Sequence, residues 1–331
     1  MEFAFLLFVS VVILALIFDY INGFHDAANA IATVVSTKVL SPRTAVMYGA
    51  VLNFVGALMG TQVATTIGKG IVDTHSVTSE VLLATLTSAI VWNLITWFKG
   101  LPSSSSHALL GSLLGATAAA AGFSSLKWDG ITNKILLPMI SSPIMGFIIG
   151  YFLMVGLYWL LYKISLPIIN KWFSKLQILS AGYMAIMHGA NDAQKTMGII
   201  ALAVATYYHT PFEVSKWIII ACAIAMGLGT VAGGWRVIRT VGSKMVKLKP
   251  LQGFAAEATG GTILFLTAHF GIPISTTHVI TTSIMGVGSA QRLSAVRPRI
   301  IGNIIGAWIL SLPTTFILAA GLYWVVHRIL G

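Results

Sequence analysis

Apolar runs of about membrane-spanning length recur along this 331-residue chain, and short polar clusters bound or interrupt them. A hydrocarbon core about 30 Å thick takes roughly 20 apolar residues of helix. Runs near that length lie at about 3–20, 44–68, 80–98, 107–122, 135–161, 214–234, 251–268 and 299–326. Two more stretches, 21–36 and 177–208, are apolar but interrupted by polar residues. The pattern predicts helices throughout, so the expected fold class is an all-α polytopic membrane protein. As one straight helix, 177–208 would run about 48 Å at 1.5 Å per residue. It is therefore expected to tilt, break or turn back, with Gly189, Asn191 and Asp192 as the natural break. Asn22, Gly23 and Asp26 take that place in the first stretch. Irregular backbone at this depth needs protein or water to satisfy it. Broken helices or re-entrant hairpins are expected at both places. The first run, Phe3–Phe18, follows Glu2 without a basic n-region, so it reads as a retained segment and not a cleaved signal.

Composition supports this picture: 56% of residues are apolar and 9% are charged, against roughly 25% charged in soluble domains. The net charge of +11 is distributed as an orientation signal, so no nucleic-acid partner is expected. Lys163, Lys171 and Lys175 lie in one loop. Arg236, Arg239, Lys244, Lys247 and Lys249 lie in a second, and Arg292, Arg297 and Arg299 in a third. Placing these loops in the cytoplasm, with 37–43, follows the positive-inside rule. The loops near 69–79, 123–134 and 209–216 then fall outside, as do both termini. Glu2, Asp73, Glu80, Asp129 and Glu213 all land outside as well. Localisation in the cell (inner) membrane is expected. Cys222 stands alone in an apolar run and reads as a small packing residue, with no disulfide or Cys-metal site.

Two motifs occur twice, in the same order. Gly23-Phe-His-Asp-Ala-Ala-Asn-Ala30 pairs with Gly189-Ala-Asn-Asp-Ala-Gln-Lys-Thr196. Leu101-Pro-Ser-Ser-Ser-Ser-His107 pairs with Ile272-Pro-Ile-Ser-Thr-Thr-His278. With the loops oriented as above, the copies of the first motif run in opposite directions. The expected organisation is an inverted-topology repeat: a first half at 1–161, a short basic linker at 162–176, and a second half at 177–331.

Intramembrane ionisable residues are functional candidates by default. Asp26 and Asp192 have neutral oxygens nearby in sequence: Asn22 and Asn29 in one half, Asn191, Gln194 and Thr196 in the other. That is a hard-cation environment; Na⁺ at Asp26 and Asp192 fits it, and so does H⁺ on the carboxylates. The bland reading is a carboxylate capping a broken helix. Ser103, Ser104, Ser105 and Ser106 precede one helical run, and Ser275, Thr276 and Thr277 precede another. One hydroxyl in each cluster reads as an ordinary N-cap. The others, with free N–H groups and the positive dipole end, suit a tetrahedral oxyanion. His107 and His278 close the clusters and are open between substrate contact and local hydrogen bonding. Lys195, three residues after Asp192, could pair with it or snorkel, and is grouped with the substrate-binding candidates. Glu257 is a candidate second coupling carboxylate or an interfacial residue, and Asp19 a supporting residue. Gly56/Gly60, Gly111/Gly115, Gly146/Gly150 and Gly302/Gly306 are expected to serve helix packing.

Over essentially its whole length, through both motif pairs, the chain resembles the inorganic phosphate transporter (PiT) family. The resemblance implies phosphate at the hydroxyl clusters and a coupling cation near Asp26 and Asp192. It also implies a functional role for Glu257. An acidic position of some members corresponds to Asn53 here, and the large central loop of eukaryotic members is absent, as in a compact prokaryotic form. The function implied is secondary active import of inorganic phosphate, coupled to Na⁺ or H⁺, by alternating access. A sulfate or other tetrahedral oxyanion transporter of the same fold is the alternative. An intramembrane aspartyl protease, with Asp26 and Asp192 as a dyad, is a remote one, and a passive anion channel a third. The chain is not expected to be an enzyme or to hold a cofactor. Its partners on this reading are phosphate, Na⁺ or H⁺, the lipid bilayer and, as an open alternative, further copies of itself.

Overall fold

The structure, a computed structural model, describes residues 2–292 and 298–330. Arg297, and the side chains of Lys244 and Arg299, lie outside the described residues. Among the described residues the chain is helical, with one isolated β-bridge between Val72 and Leu126. The first half comprises α1 (Glu2–His25), α2 (Ala27–Ser36), α3 (Pro42–Ala57), α4 (Gln62–Gly70), α5 (Ser79–Phe98), α6 (Ser105–Ala121), α7 (Trp128–Ile131) and α8 (Leu137–Leu161). The second comprises α9 (Leu166–Tyr208), α10 (Lys216–Ala232), α11 (Trp235–Arg239), α12 (Pro250–His269), α13 (Thr276–Gln291) and α14 (Pro298–Leu330). Among the described residues, four stretches are long and apolar enough to cross a membrane, and six if each bent pair counts as one span. Large apolar side chains such as Phe152, Trp159, Leu160 and Ile317 are exposed. A belt of that kind marks a surface made for lipid.

Several elements of the two halves correspond. α3 and α4 meet at 62°, and α10 meets Trp235–Gly242 at 60°. α5 and α12 are both 20 residues long. α6 and α13 begin at Ser105 and Thr276, in the two hydroxyl clusters. The packing repeats too: α6 lies along α14 and α13 along α8, while α1 lies along α10 and α9 along α3. Direction is reversed between the halves. Phe8 at the start of α1 stacks on Tyr207 at the end of α9, so equivalent helices start from opposite faces.

Each face is stitched together by its loops. On one, Asp73 N–H donates to Ser125 O (2.9 Å), Lys127 N–H to Ile71 O (2.9 Å) and Thr206 Oγ1 to Val77 O (3.1 Å). His327 lies 2.8 Å from Glu80, so both ends of the described chain sit at this acidic-loop face. On the other, Thr37 Oγ1 donates to Gln177 Oε1 (2.9 Å), and Gln252 Nε2 to Gln291 Oε1 (2.9 Å).

Three expectations need correction. Residues 162–176 are mostly not a loop: α9 begins at Leu166, after Ser165. Nor does the chain break at Gly189–Asp192, because α9 is continuous to Tyr208, about 65 Å at 1.5 Å per residue. Gly189 instead lets α3 come close: a Cβ there would lie 2.1 Å from Asn53 O. The first-half break does occur, at Asp26 between α1 and α2. Finally, Gly111/Gly115 pack on α14 and Gly146/Gly150 on α13, but Gly302 and Gly306 face open space.

Candidate functional site

The buried apolar residues form two clusters that meet the motifs from either side. Along α9, Met184 and Met187 belong to one and Met197 and Ile199 to the other. Between them lies a polar layer in which nearly every side chain is buried.

α5–α6 and α12–α13 are helical hairpins whose second helices start inside this layer. Ser104 and Ser275 are the N-caps, accepting from His107 N–H (3.1 Å) and His278 N–H (3.2 Å). Capping therefore uses one hydroxyl per cluster, as expected. The next hydroxyl of each cluster bonds an aspartate. Ser105 Oγ donates to Asp26 Oδ2 and Thr276 Oγ1 to Asp192 Oδ2, both at 3.0 Å. Asn29 Nδ2 donates to Thr277 Oγ1 (2.9 Å) and Thr276 Oγ1 (3.2 Å). Ser106 Oγ donates to Ile274 O (3.1 Å), which ties one hairpin to the other. The His107 and His278 rings meet edge-on with centroids 4.6 Å apart, and His278 lies against Trp308 at 3.9 Å. Two helix N-termini thus converge on one point. Their first N–H groups have no intrahelical acceptor, and hydroxyls and two carboxylates surround them.

Asp26, Asp192 and His188 each bring a ligand atom within 4.8 Å of the others. Like charges that close, in a buried setting, need compensation. Asp192 receives it from Lys195, which contacts its Oδ1, and the His188 ring lies close by with Nε2 at 3.2 Å. Asp26 has His25 Nδ1 at 2.6 Å. Asn22 Oδ1, Asn29 Oδ1 and both polar atoms of the Asn191 side chain are buried without a protein partner. Unpartnered amide oxygens beside a carboxylate suit a hard cation such as Na⁺.

Several expected residues point elsewhere. Gln194 Oε1 accepts from Val63 N–H (2.8 Å), bonding to the first turn of α4. Thr196 Oγ1 donates to Asp19 Oδ1 (3.0 Å), not to Asp192. Ser103 Oγ donates to Thr96 Oγ1 (2.8 Å), beside His25. Glu257 forms its own buried cluster, accepting from Thr33 Oγ1 (2.5 Å), Gln177 Nε2 (3.1 Å) and Ser180 Oγ. His25 and His188 were not singled out from sequence. The signal was there for both: His25 adjoins Asp26, and His188 stands one helical turn before Asp192. Asn53 Oδ1 lies 3.1 Å from His188 Nδ1, so this neutral substitute for an acidic position still touches the site.

Each hairpin tip is clasped by the bent helix of the opposite half. Thr66 Oγ1 donates to Gly271 O (2.6 Å) at the acidic-loop side. Thr240 Oγ1 donates to Gly100 O (2.9 Å) at the basic-loop side, where Arg236 Nη1 also donates to Phe98 O (2.6 Å). Both tip glycines have positive φ, +61° at Gly271 and +65° at Gly100, which a side chain would strain.

Comparison with known proteins points one way. The profile of the PHO4 phosphate transporter family matches residues 22–319. A probable low-affinity inorganic phosphate transporter of Rhizobium meliloti (strain 1021) is 47% identical, over 97% of each chain. One from Bacillus subtilis (strain 168) is 47% identical over 99% of this chain and 100% of its own. A solved structure described as the sodium-dependent phosphate transporter superposes with a TM-score of 0.89, at 26% identity, over 98% of this chain and 100% of that one.

Proposed function

Because the chain belongs to the phosphate transporter family, whose members are carriers and not enzymes, we propose that it imports inorganic phosphate by alternating access, driven by Na⁺ or H⁺. The observation that carries this reading is the convergence of two hydroxyl-capped helix N-termini on two buried carboxylates. Asp26 and Asp192 take up cation charge, which removes their repulsion for an anion. Phosphate then bridges the helix ends, with the free N–H groups as donors, joined by the Ser105, Ser106, Thr276 and Thr277 hydroxyls as these turn from their present acceptors. Hydrogen phosphate also carries an O–H that sulfate lacks, and the carboxylates offer it an acceptor. That favours phosphate over the sulfate alternative. The paired clasps support alternation: releasing Gly271 or Gly100 would open the same site to one face at a time.

The carrier sits in the cell membrane with the acidic-loop face and both termini outside, on the strength of the basic residues gathered at the opposite face. Family membership sets aside the aspartyl protease. Labelled phosphate uptake into proteoliposomes tests the substrate. Arsenate, a close phosphate analogue, is expected to compete, and sulfate at tenfold excess is expected not to. Equal competition by sulfate would favour the general oxyanion carrier.

A further inference from the structure

We propose that the Lys195 ammonium is a built-in counter-ion that replaces a coupling cation at Asp192, so that only the Asp26 half of the site draws a cation from solution. This rests on the carrier reading above. The argument starts from the equivalence of the halves. Asp26 and Asp192 accept the same 3.0 Å bond from equivalent hydroxyls. Three residues further on stand Asn29 and Lys195, and each reaches a hydroxyl of the opposite hairpin: Asn29 Nδ2 to Thr277 Oγ1 (2.9 Å), Lys195 Nζ to Ser106 Oγ (2.5 Å). The position is the same and the charge differs by one.

The surroundings of Nζ are those of a small bound cation. Its partners are a carboxylate oxygen of Asp192, the Ser106 hydroxyl and the Ile274 carbonyl (3.0 Å). An ammonium has three N–H donors, and these three oxygens take all of them. No donor is left for a substrate anion, which argues against the substrate contact expected from sequence. Nor does the side chain snorkel: Lys195 is 2% exposed in the middle of α9. The other half has no equivalent charge. Beside Asp26 stands the His25 ring, with Nδ1 at 2.6 Å, in place of an ammonium. Asn22 Oδ1 and Asn29 Oδ1, about one helical turn from Asp26 in sequence, are buried without a partner, as a recruited cation requires; Asn191 beside Asp192 is unpartnered too, but there the ammonium already holds the carboxylate.

Two arms test the proposal with the full-length protein. The first is ²²Na⁺ binding to detergent-purified protein without phosphate, which is independent of the substrate. Lys195→Asn, which copies Asn29, is expected to bind one more Na⁺ per chain than wild type. Asn29→Lys is expected to bind one fewer, and gives a reading if Lys195→Asn does not fold. Unchanged Na⁺ binding by whichever variants fold overturns the proposal, whatever the substrate is. The second arm is phosphate uptake in proteoliposomes across a Na⁺ series. Lys195→Asn is expected to recover with rising Na⁺ and to show a cation order one unit higher, while Lys195→Met, with no oxygen to offer, is not rescued. A raised KM for phosphate at unchanged cation order in both variants would make Lys195 an anion contact and overturn the proposal. A wild type that binds Na⁺ but takes up no phosphate would refute the carrier reading alone.

Discussion

The Asp26 and Asp192 halves of the site share one scaffold and differ in charge. Both present a capped helix, a hydroxyl bonded to a carboxylate at 3.0 Å, and a polar side chain reaching across to the opposite hairpin. In one half that side chain is an amide and the carboxylate's neighbour is a histidine. In the other it is an ammonium, with His188 behind the carboxylate. A repeat fold supplies symmetric backbone at low cost, and single substitutions then assign different ionic work to equivalent places. The hairpin clasps show the same principle. Thr66 holds Gly271 with Lys134 Nζ donating to Phe270 O at a long 3.4 Å, whereas Thr240 at Gly100 is joined by Arg236, which donates to Phe98 O at 2.6 Å and whose guanidinium also lies 4.6 Å from the Phe98 ring.

The largest expected difference between the halves is in stability. Asp192→Asn strands a buried ammonium among neutral oxygens, and breaking a buried ion pair costs about 3–5 kcal/mol. Asp26→Asn leaves a histidine that can be neutral, and costs about 1–3 kcal/mol for lost hydrogen bonds. Thermal unfolding in detergent should therefore place Asp192→Asn clearly below Asp26→Asn; equal midpoints would break the comparison. Next comes a pair that should match. Ser105→Ala and Thr276→Val each delete one bond to a carboxylate, about 1.5–3 kcal/mol, and each should weaken phosphate uptake about tenfold or more. A large disparity between them in KM would show that the hydroxyls are not equivalent.

The smallest effect concerns the clasps. Thr66→Ala removes a single neutral bond, about 1 kcal/mol, and should shift the population about fivefold towards opening at the acidic-loop face. A cavity of about 100 Å³ lined by Gln62, Met187, Ala190 and His269 lies there. A cysteine placed at Ala190 should react faster with a membrane-impermeant reagent in the Thr66→Ala background. Thr240→Ala alone should shift access less, because Arg236 still holds its hairpin at 2.6 Å, where Lys134 reaches Phe270 O only at 3.4 Å.

Much of this was legible in the sequence because polar residues at membrane depth are conspicuous. Asp26, Asp192 and the two hydroxyl clusters stand out for that reason, and their order and the loop charges imply the inversion. Side-chain direction was less legible. Treating Gly189–Asp192 as a break left the directions of Gln194 and Thr196 free. On the continuous α9, Gln194 lies about 200° round from Asp192 at 3.6 residues per turn, so it turns to Val63 of α4 instead. Thr196 lies on the Asp192 side but finds Asp19 across the interface with α1, a tertiary contact with no local trace. The assumed break also hid His188, whose relation to Asp192 exists only if the helix runs through. Glu257, read from sequence as a second coupling carboxylate, has its own set of hydroxyl and amide donors, which come from α2 and α9 and have no local trace.

Active, cation-coupled phosphate import is the central claim, and accumulation against a gradient tests it most directly. Proteoliposomes containing the protein, equilibrated with labelled phosphate on both sides, are given an inward Na⁺ gradient or, separately, an inward proton gradient. The account predicts that one of them drives internal phosphate above the external level, that an ionophore collapsing that gradient abolishes the rise, and that Asp26→Asn shows none. Phosphate that equilibrates across the membrane but never exceeds the external level under either gradient would contradict the account and describe a passive channel.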